Sequence, residues 1–134
     1  MTIIHASAEH ASALHSLNRH VAEDELRALI AQGRVLILEE AECIRGWLRW
    51  NLFWDNTPFM NMLFVDESCR GTGLGSMLVS RWEAEMAALG YRTLMTSTAS
   101  DEYAQHFYRK LGYETIGGFT PFGDPYELIL AKRL

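Results

Sequence analysis

The sequence predicts an α/β fold, and three observations carry that expectation. Apolar residues change spacing repeatedly between helical recurrence and strand alternation, along 134 residues of which 49% are hydrophobic. The elements read in the order strand, two helices, three strands, helix, strand, helix, two strands, so the two kinds are interleaved. Between a strand pattern and a helix pattern stand three alternating glycines, Gly71, Gly73 and Gly75. Length and apolar content suit one domain, 1–134, with one sizeable core.

Thr2 to His5 opens as a short strand, and Ser7 is placed to cap a helix reaching about His20, with Ala11, Leu14, Leu17 and Val21 as its buried stripe. A second helix runs from Glu23 or Asp24 to Gln32, turns Leu26, Leu29 and Ile30 inward, and stops at Gly33. Val35 to Leu38 forms an apolar strand and Glu39 to Glu42 an acidic turn. The return arm sets Ile44, Gly46, Leu48, Trp50 and Leu52 against Arg45, Trp47, Arg49 and Asn51, the alternation of a half-buried strand. Trp54 to Pro58 turns the chain into a further strand, Phe59 to Val65.

After the glycines, Met77, Leu78, Trp82, Met86 and Leu89 make a helical stripe ended by Gly90. Arg92 to Thr98 is a strand. Asp101 stands where a helix N-cap belongs, and Tyr103, Ala104, Phe107 and Leu111 line the inner face of a helix stopped by Gly112. Tyr113 to Thr120 and Tyr126 to Leu134 are the last two strands, separated by Pro121, Gly123 and Pro125.

The glycine segment has the chemistry of an anion cradle. Successive glycines let backbone N–H groups face one concavity, and the free amides of a helix's first turn add partial positive charge. A diphosphate fits such a place. No lysine follows these glycines, as a Walker loop requires, and Ser76 and Leu78 stand where a Rossmann turn needs its third glycine. What remains is Arg70-Gly71-Thr72-Gly73-Leu74-Gly75, an Arg-x-x-Gly-x-Gly string. It resembles the coenzyme A pyrophosphate loop of the GNAT superfamily of N-acetyltransferases. A second motif agrees: Asp101-Glu102-Tyr103-Ala104-Gln105-His106-Phe107-Tyr108-Arg109-Lys110-Leu111-Gly112-Tyr113 is similar to that family's fourth helix, commonly Asn-x-x-Ala-x-x-Phe-Tyr-x-x-x-Gly-Phe. The element order matches the family from end to end.

The resemblance implies a central mixed, mostly antiparallel, splayed β-sheet flanked by about four helices, with acetyl-CoA as acyl donor and no metal. It places the pyrophosphate on the main chain of Arg70, Gly71, Thr72, Gly73, Leu74, Gly75 and Ser76, and the pantetheine arm along Leu63, Phe64 and Val65. An N–H of Leu63 or Phe64 would polarise the thioester carbonyl. Tyr108 matches the family tyrosine beside the coenzyme sulfur and is the candidate general acid. Asp101 replaces a frequent asparagine and cannot donate an amide hydrogen bond to the coenzyme. Asn61 sits where many relatives carry a glutamate base; it orients water or the amine instead, since it cannot take a proton at neutral pH.

Acceptor binding falls by the same resemblance to the loops holding Trp54, Phe59 and Phe122, an aromatic set with acidic residues at its rim, together with Asn61 on the adjoining strand. The function implied is direct acetyl transfer to a primary amine of a small molecule. Two alternatives stay open: a protein lysine or N-terminal acetyltransferase, and a non-catalytic acyl-CoA binding or sensing module, the latter because of Asn61. A homodimer is a further implication of the resemblance.

Composition sets the other expectations. A net charge of −5 with twelve scattered Lys and Arg argues against a nucleic-acid partner. No apolar run has membrane-span or signal-peptide length, so a cytoplasmic protein with no membrane partner is expected. Cys43 and Cys69 are too few for a zinc quartet or a disulfide framework. His5, His10, His15 and His20 recur every five residues, which leaves neighbours about 140° apart on a helix and unable to converge on a metal.

Overall fold

The computed structural model describes residues Met1–Leu134. Its strands are β1 (Thr2–His5), β2 (Val35–Glu40), β3 (Cys43–Phe53), β4 (Thr57–Val65), β5 (Thr93–Ala99), β6 (Glu114–Phe119) and β7 (Glu127–Arg133). Its helices are α1 (Ala11–Leu17), α2 (Glu23–Ala31), α3 (Leu74–Ala88) and α4 (Ala104–Lys110), with short 3-10 turns at Ala8–His10 and Glu67–Cys69. The strands hydrogen-bond in the order β1-β2-β3-β4-β5-β7-β6. The β4–β5 pair is parallel and confined to Phe59↔Met95 and Met60↔Thr96, whereas β1–β2, β2–β3, β5–β7 and β6–β7 are antiparallel. The α/β class and the mostly antiparallel sheet are as the sequence predicts.

Packing divides the chain into two compact units: Met1–Asn51 with Met62–Trp82, and Leu52–Asn61 with Glu83–Leu134. In the first, Ala11 and Leu14 of α1 and Leu26, Leu29 and Ile30 of α2 close on Val35, Ile37 and Trp47. The opposite face of β3 presents Trp50, whose ring lies 6.5 Å from that of Trp82 on α3. Helices on both faces explain the first correction. Gly46 through Trp50 are all buried, so Trp47 and Arg49 do not form the solvent face that alternation predicts. Arg49 sits 3.3 Å from His20 through its Nη2, and burial pulls its pKa below the ordinary value.

The first helix is shorter than predicted. A 3-10 turn precedes it, Ser7 N–H donates to His10 Nδ1 (2.9 Å), and Asn18 leaves helical geometry at φ −140°, so Leu17 stands exposed. The stripe of α3 is Leu78, Val79, Trp82 and Met86; Met77 and Leu89 point to solvent. A helix buries one arc of about 100°, and the adjacent pair Leu78–Val79 fills it, leaving Met77 outside. The β3–β4 turn is tighter than predicted. Trp54 and Asp55 take left-handed φ values of 54° and 62°, and β4 starts at Thr57 with Pro58 inside it.

In the second unit β7 lies between β5 and β6. Tyr113 is buried, its hydroxyl donates to Glu83 Oε2 (2.8 Å), and Lys132 Nζ donates to the same carboxylate at 3.0 and 3.2 Å. No helix is long and apolar enough to cross a membrane.

Candidate active site

The predicted cradle is built in the first unit. Leaving β4, Asp66 N–H donates to the Arg45 carbonyl at 2.7 Å. The Asp66 carboxylate accepts from Ser68 Oγ (3.1 Å) and Arg45 Nη1 (3.3 Å). Chiefly the Ser68 hydrogen bond, then Arg45, holds that carboxyl below the usual range. Arg70 Nε donates to the Val65 carbonyl (2.9 Å) while its guanidinium lies over the Phe64 ring at 5.5 Å. Arg70 therefore clamps the loop to the end of β4, and the Val65 carbonyl is already occupied. Thr72 Oγ1 donates to the Cys69 carbonyl at 2.6 Å.

Gly71 and Gly73 adopt φ of 77° and 81°, the left-handed region that glycine enters without a Cβ clash. The first intrahelical bond of α3 is Met77 N–H to the Gly73 carbonyl, 3.1 Å, so the amides of Leu74, Gly75 and Ser76 form the first turn. A Cβ built on Gly71 or Gly73 would meet nothing within 4 Å. Phe64 stacks on Trp47 (centroids 4.5 Å apart), fixing which face of β4 is buried and leaving Leu63 and Val65 on the other. Gly46 permits this placement, because a Cβ there would stand 2.6 Å from the Phe64 carbonyl oxygen.

The second unit holds the candidate acid. Tyr108 is 6% exposed, and burial pushes its phenol up to about 12, offset in part by a side-chain hydrogen bond with Thr96. Thr96 is 1% exposed and its Oγ1 donates to the Met60 carbonyl at 3.0 Å. Tyr108 also meets Phe107 and Tyr113 edge-on, at 5.3 and 5.9 Å. Asp101 does not cap α4. The helix starts at Ala104 behind Tyr103, with no side-chain cap bond, and Gln105 Nε2 instead donates to the Ser100 (2.9 Å) and Glu102 (3.3 Å) carbonyls. Two residues, Glu102 and Tyr103, stand between Asp101 and the first helical residue, so Asp101 is not at the cap position. Tyr103, expected on the inner face, is exposed.

Asn61 is exposed on β4. Trp54 and Phe59 gather around Phe53, with ring centroids at 4.9 and 6.0 Å from it, while Phe122 stands fully in solvent in the β6–β7 connection. Beside that connection is a cleft of about 430 Å³ whose lining includes Asp101, Glu102, Asp124 and Glu127. No group of three or more His, Cys, Asp or Glu is placed to hold a metal. Thr96 is a buried polar residue that sequence reasoning did not single out, and the strand Thr93-Leu94-Met95-Thr96-Ser97-Thr98-Ala99 gave no signal for it, since Thr96 is one of several hydroxyls.

Together these features define an α/β protein with a glycine-rich turn at the N-terminus of α3 and a buried tyrosine. A sequence model of the Acetyltransferase (GNAT) family matches residues 5–113. The chain belongs to that family. An "IAA acetyltransferase" of Azospirillum brasilense is 35% identical over 74 residues, 54% of this chain and 48% of that protein, so the match spans about half the relative's length. The fold is similar to Ard1 from Thermoplasma volcanium, with TM-score 0.85, 16% identity, and coverage of 99% of this chain and 97% of that one. It is also similar to yncA of Salmonella typhimurium, solved with its cofactor acetyl-CoA, with TM-score 0.82, 21% identity, and coverage of 100% and 94%.

Proposed function

We propose that the chain, 1–134, is a single acetyl-CoA-dependent N-acetyltransferase domain that transfers its acyl group directly to a primary amine of a small molecule. The observation that carries this reading is the pair of left-handed glycines, Gly71 and Gly73, leading into the N-terminus of a fifteen-residue helix. Acetyl-CoA supplies an acetyl group activated as a thioester. The amides from Gly71 to Ser76 hold the pyrophosphate, with no side-chain cation required. An N–H of Leu63 or Phe64 donates to the carbonyl oxygen as charge develops on it.

Tyr108 is the general acid, its phenol donating to the departing sulfur as the thiolate leaves. With its phenol held near 12, against about 8.5 for an ordinary thiol, the tyrosine stays protonated at neutral pH and remains available as a hydrogen-bond donor, while full proton transfer is uphill. The nucleophile is the substrate's own nitrogen. Asn61 orients the amine or a water, and its proton leaves to solvent. The acidic lining at Asp101, Glu102, Asp124 and Glu127 supports a cationic acceptor, which such a field concentrates.

The test is thiol release from acetyl-CoA against a panel of small amines and short peptides, with Tyr108→Phe in parallel. The reading expects turnover with a small amine and a variant whose kcat falls about 10²-fold or more at nearly unchanged KM for acetyl-CoA. Turnover with peptides alone would make it a protein acetyltransferase. Tight coenzyme binding without turnover across the panel would make it a binding module.

A further inference from the structure

We propose that Arg49 holds a carboxylate of the acceptor, so that the amine this protein acetylates belongs to an amino acid or a similar small molecule carrying both groups. The inference rests on the transferase reading and narrows its acceptor. It starts from a buried positive charge with no negative partner. Arg49 lies within β3 and is 7% exposed, and no Asp or Glu pairs with it. Its Nη2 meets His20 Nε2 at 3.3 Å. Arginine only donates, so this His20 nitrogen accepts and the ring is neutral. Arg49 Nε is buried with no partner at all. Buried charges in proteins are paired, because an uncompensated one forfeits its hydration. Glu23 at the start of α2 does not serve; it is engaged by Arg27 at 2.9 Å and His15 at 3.6 Å.

The unmet donors define the ligand. Nε and Nη2 share one edge of the planar guanidinium, and their parallel N–H bonds match the two oxygens of a carboxylate. Here one neutral nitrogen meets Nη2 and nothing meets Nε. A carboxylate supplies both acceptors and the opposite charge, and an anion outcompetes the imidazole for Nη2. A single buried cation balances a single negative charge, which favours a carboxylate over a phosphate carrying nearly two. His20 is exposed in the connection between α1 and α2, so its ring can swing aside without disturbing the core. The position also suits a substrate contact. Side chains alternate along a strand, so Arg49 shares a face of β3 with Trp47. Trp47 stacks on Phe64, and Val21, Met62 and Phe64 pack against the same cluster. That face therefore joins the α1–α2 connection to the part of β4 where an N–H of Leu63 or Phe64 is assigned to the thioester carbonyl.

The experiment uses three kinds of probe that share an amine: common α-amino acids, their amides, and the amines left by decarboxylation. Thiol release from acetyl-CoA is measured for each with the full chain, Arg49→Met and Arg49→Lys. The acids should exceed both other kinds about tenfold to a hundredfold in kcat/KM, the weight of a hydrogen bond to a charged group. Arg49→Met should raise KM for the acid by a similar factor, abolish the preference, and leave KM for acetyl-CoA within about twofold. Arg49→Lys, which keeps the charge and loses the fork, should keep only part of the preference. A second arm needs no turnover: calorimetric titration of N-acetylated amino acids and of their amides into the protein with coenzyme A. Acids that bind tighter than amides in wild type but not in Arg49→Met, beside no turnover of any amine, would leave the carboxylate site standing and sink the transferase reading. Amides and decarboxylated amines that turn over as well as the acids, or an acid preference unchanged in Arg49→Met, would overturn the role of Arg49 and leave the transferase standing. No discrimination in either arm would overturn that role too. If Arg49→Met does not fold, Arg49→Lys carries the test, and an unchanged acid preference there would refute the inference.

Discussion

Replacing Gly73 by alanine separates the cradle's ligand role from its backbone strain. Gly73 has φ 81°, and nothing in the protein lies within 4 Å of an added Cβ. The cost to the empty fold is therefore only that of an L-residue in the left-handed region, about 1–2 kcal/mol. Gly33 is a matched control, with φ 74° and equally open surroundings after α2. Gly33→Ala and Gly73→Ala should lower the midpoint of thermal unfolding by a similar few degrees. Only Gly73→Ala changes the loop to which the proposed function assigns the pyrophosphate. Losing one charge-assisted bond there is worth about 1.5–3 kcal/mol, roughly a tenfold to hundredfold rise in the Kd of coenzyme A. The assay is calorimetric titration of coenzyme A into both variants and wild type. Equal Kd values for Gly33→Ala and Gly73→Ala would refute the pyrophosphate cradle.

Other expected outcomes follow from the same contacts. Gly46→Ala should lose roughly 1–3 kcal/mol in a denaturant titration, because its methyl group meets the Phe64 carbonyl oxygen at 2.6 Å and backbone must move. Stability should fall as pH rises above about 10. Tyr108 and Tyr113 are both held protonated when folded, mainly by burial, so the folded state binds more protons than the unfolded one from pH 10 upward. For Tyr108, rising from 10.0 to about 12, this amounts to about 2–3 kcal/mol by pH 12, and Tyr108→Phe should flatten the alkaline limb of a stability–pH profile. Glu83→Gln should cost about 1–3 kcal/mol in chemical unfolding, since it weakens the acceptor of Tyr113 and leaves the half-buried Lys132 ammonium without its carboxylate.

How much was legible in the sequence depends on whether the signal is local. The turn ahead of α3 was legible, because left-handed φ at Gly71 and Gly73 is a property of glycine and of its immediate neighbours. Every strand and helix was found in order because hydrophobic period is a local property too. The burial of Trp47 and Arg49 was not, because alternation in β3 cannot say that helices cover both faces. The Asp101 cap failed for a related reason. An acidic residue before a helical stripe is a good cap only if the helix starts beside it, and here the helix starts later, at Ala104 behind Tyr103. Met77 and Leu89 read as core because apolar residues on a helix look alike whether or not a sheet faces them. Thr96 escaped because one strand hydroxyl reveals nothing until Met60 is brought to it across the fold.

The most direct measurement follows the fate of the acetyl group: acetyl-CoA labelled with carbon-13 in the acetyl position, incubated with the protein and an amine panel, then resolved by mass spectrometry. The account predicts protein-dependent label on an amine nitrogen, lost in step with affinity when Gly73→Ala replaces wild type. Label that stays on coenzyme A, or leaves only as free acetate at the rate seen without protein, would contradict it.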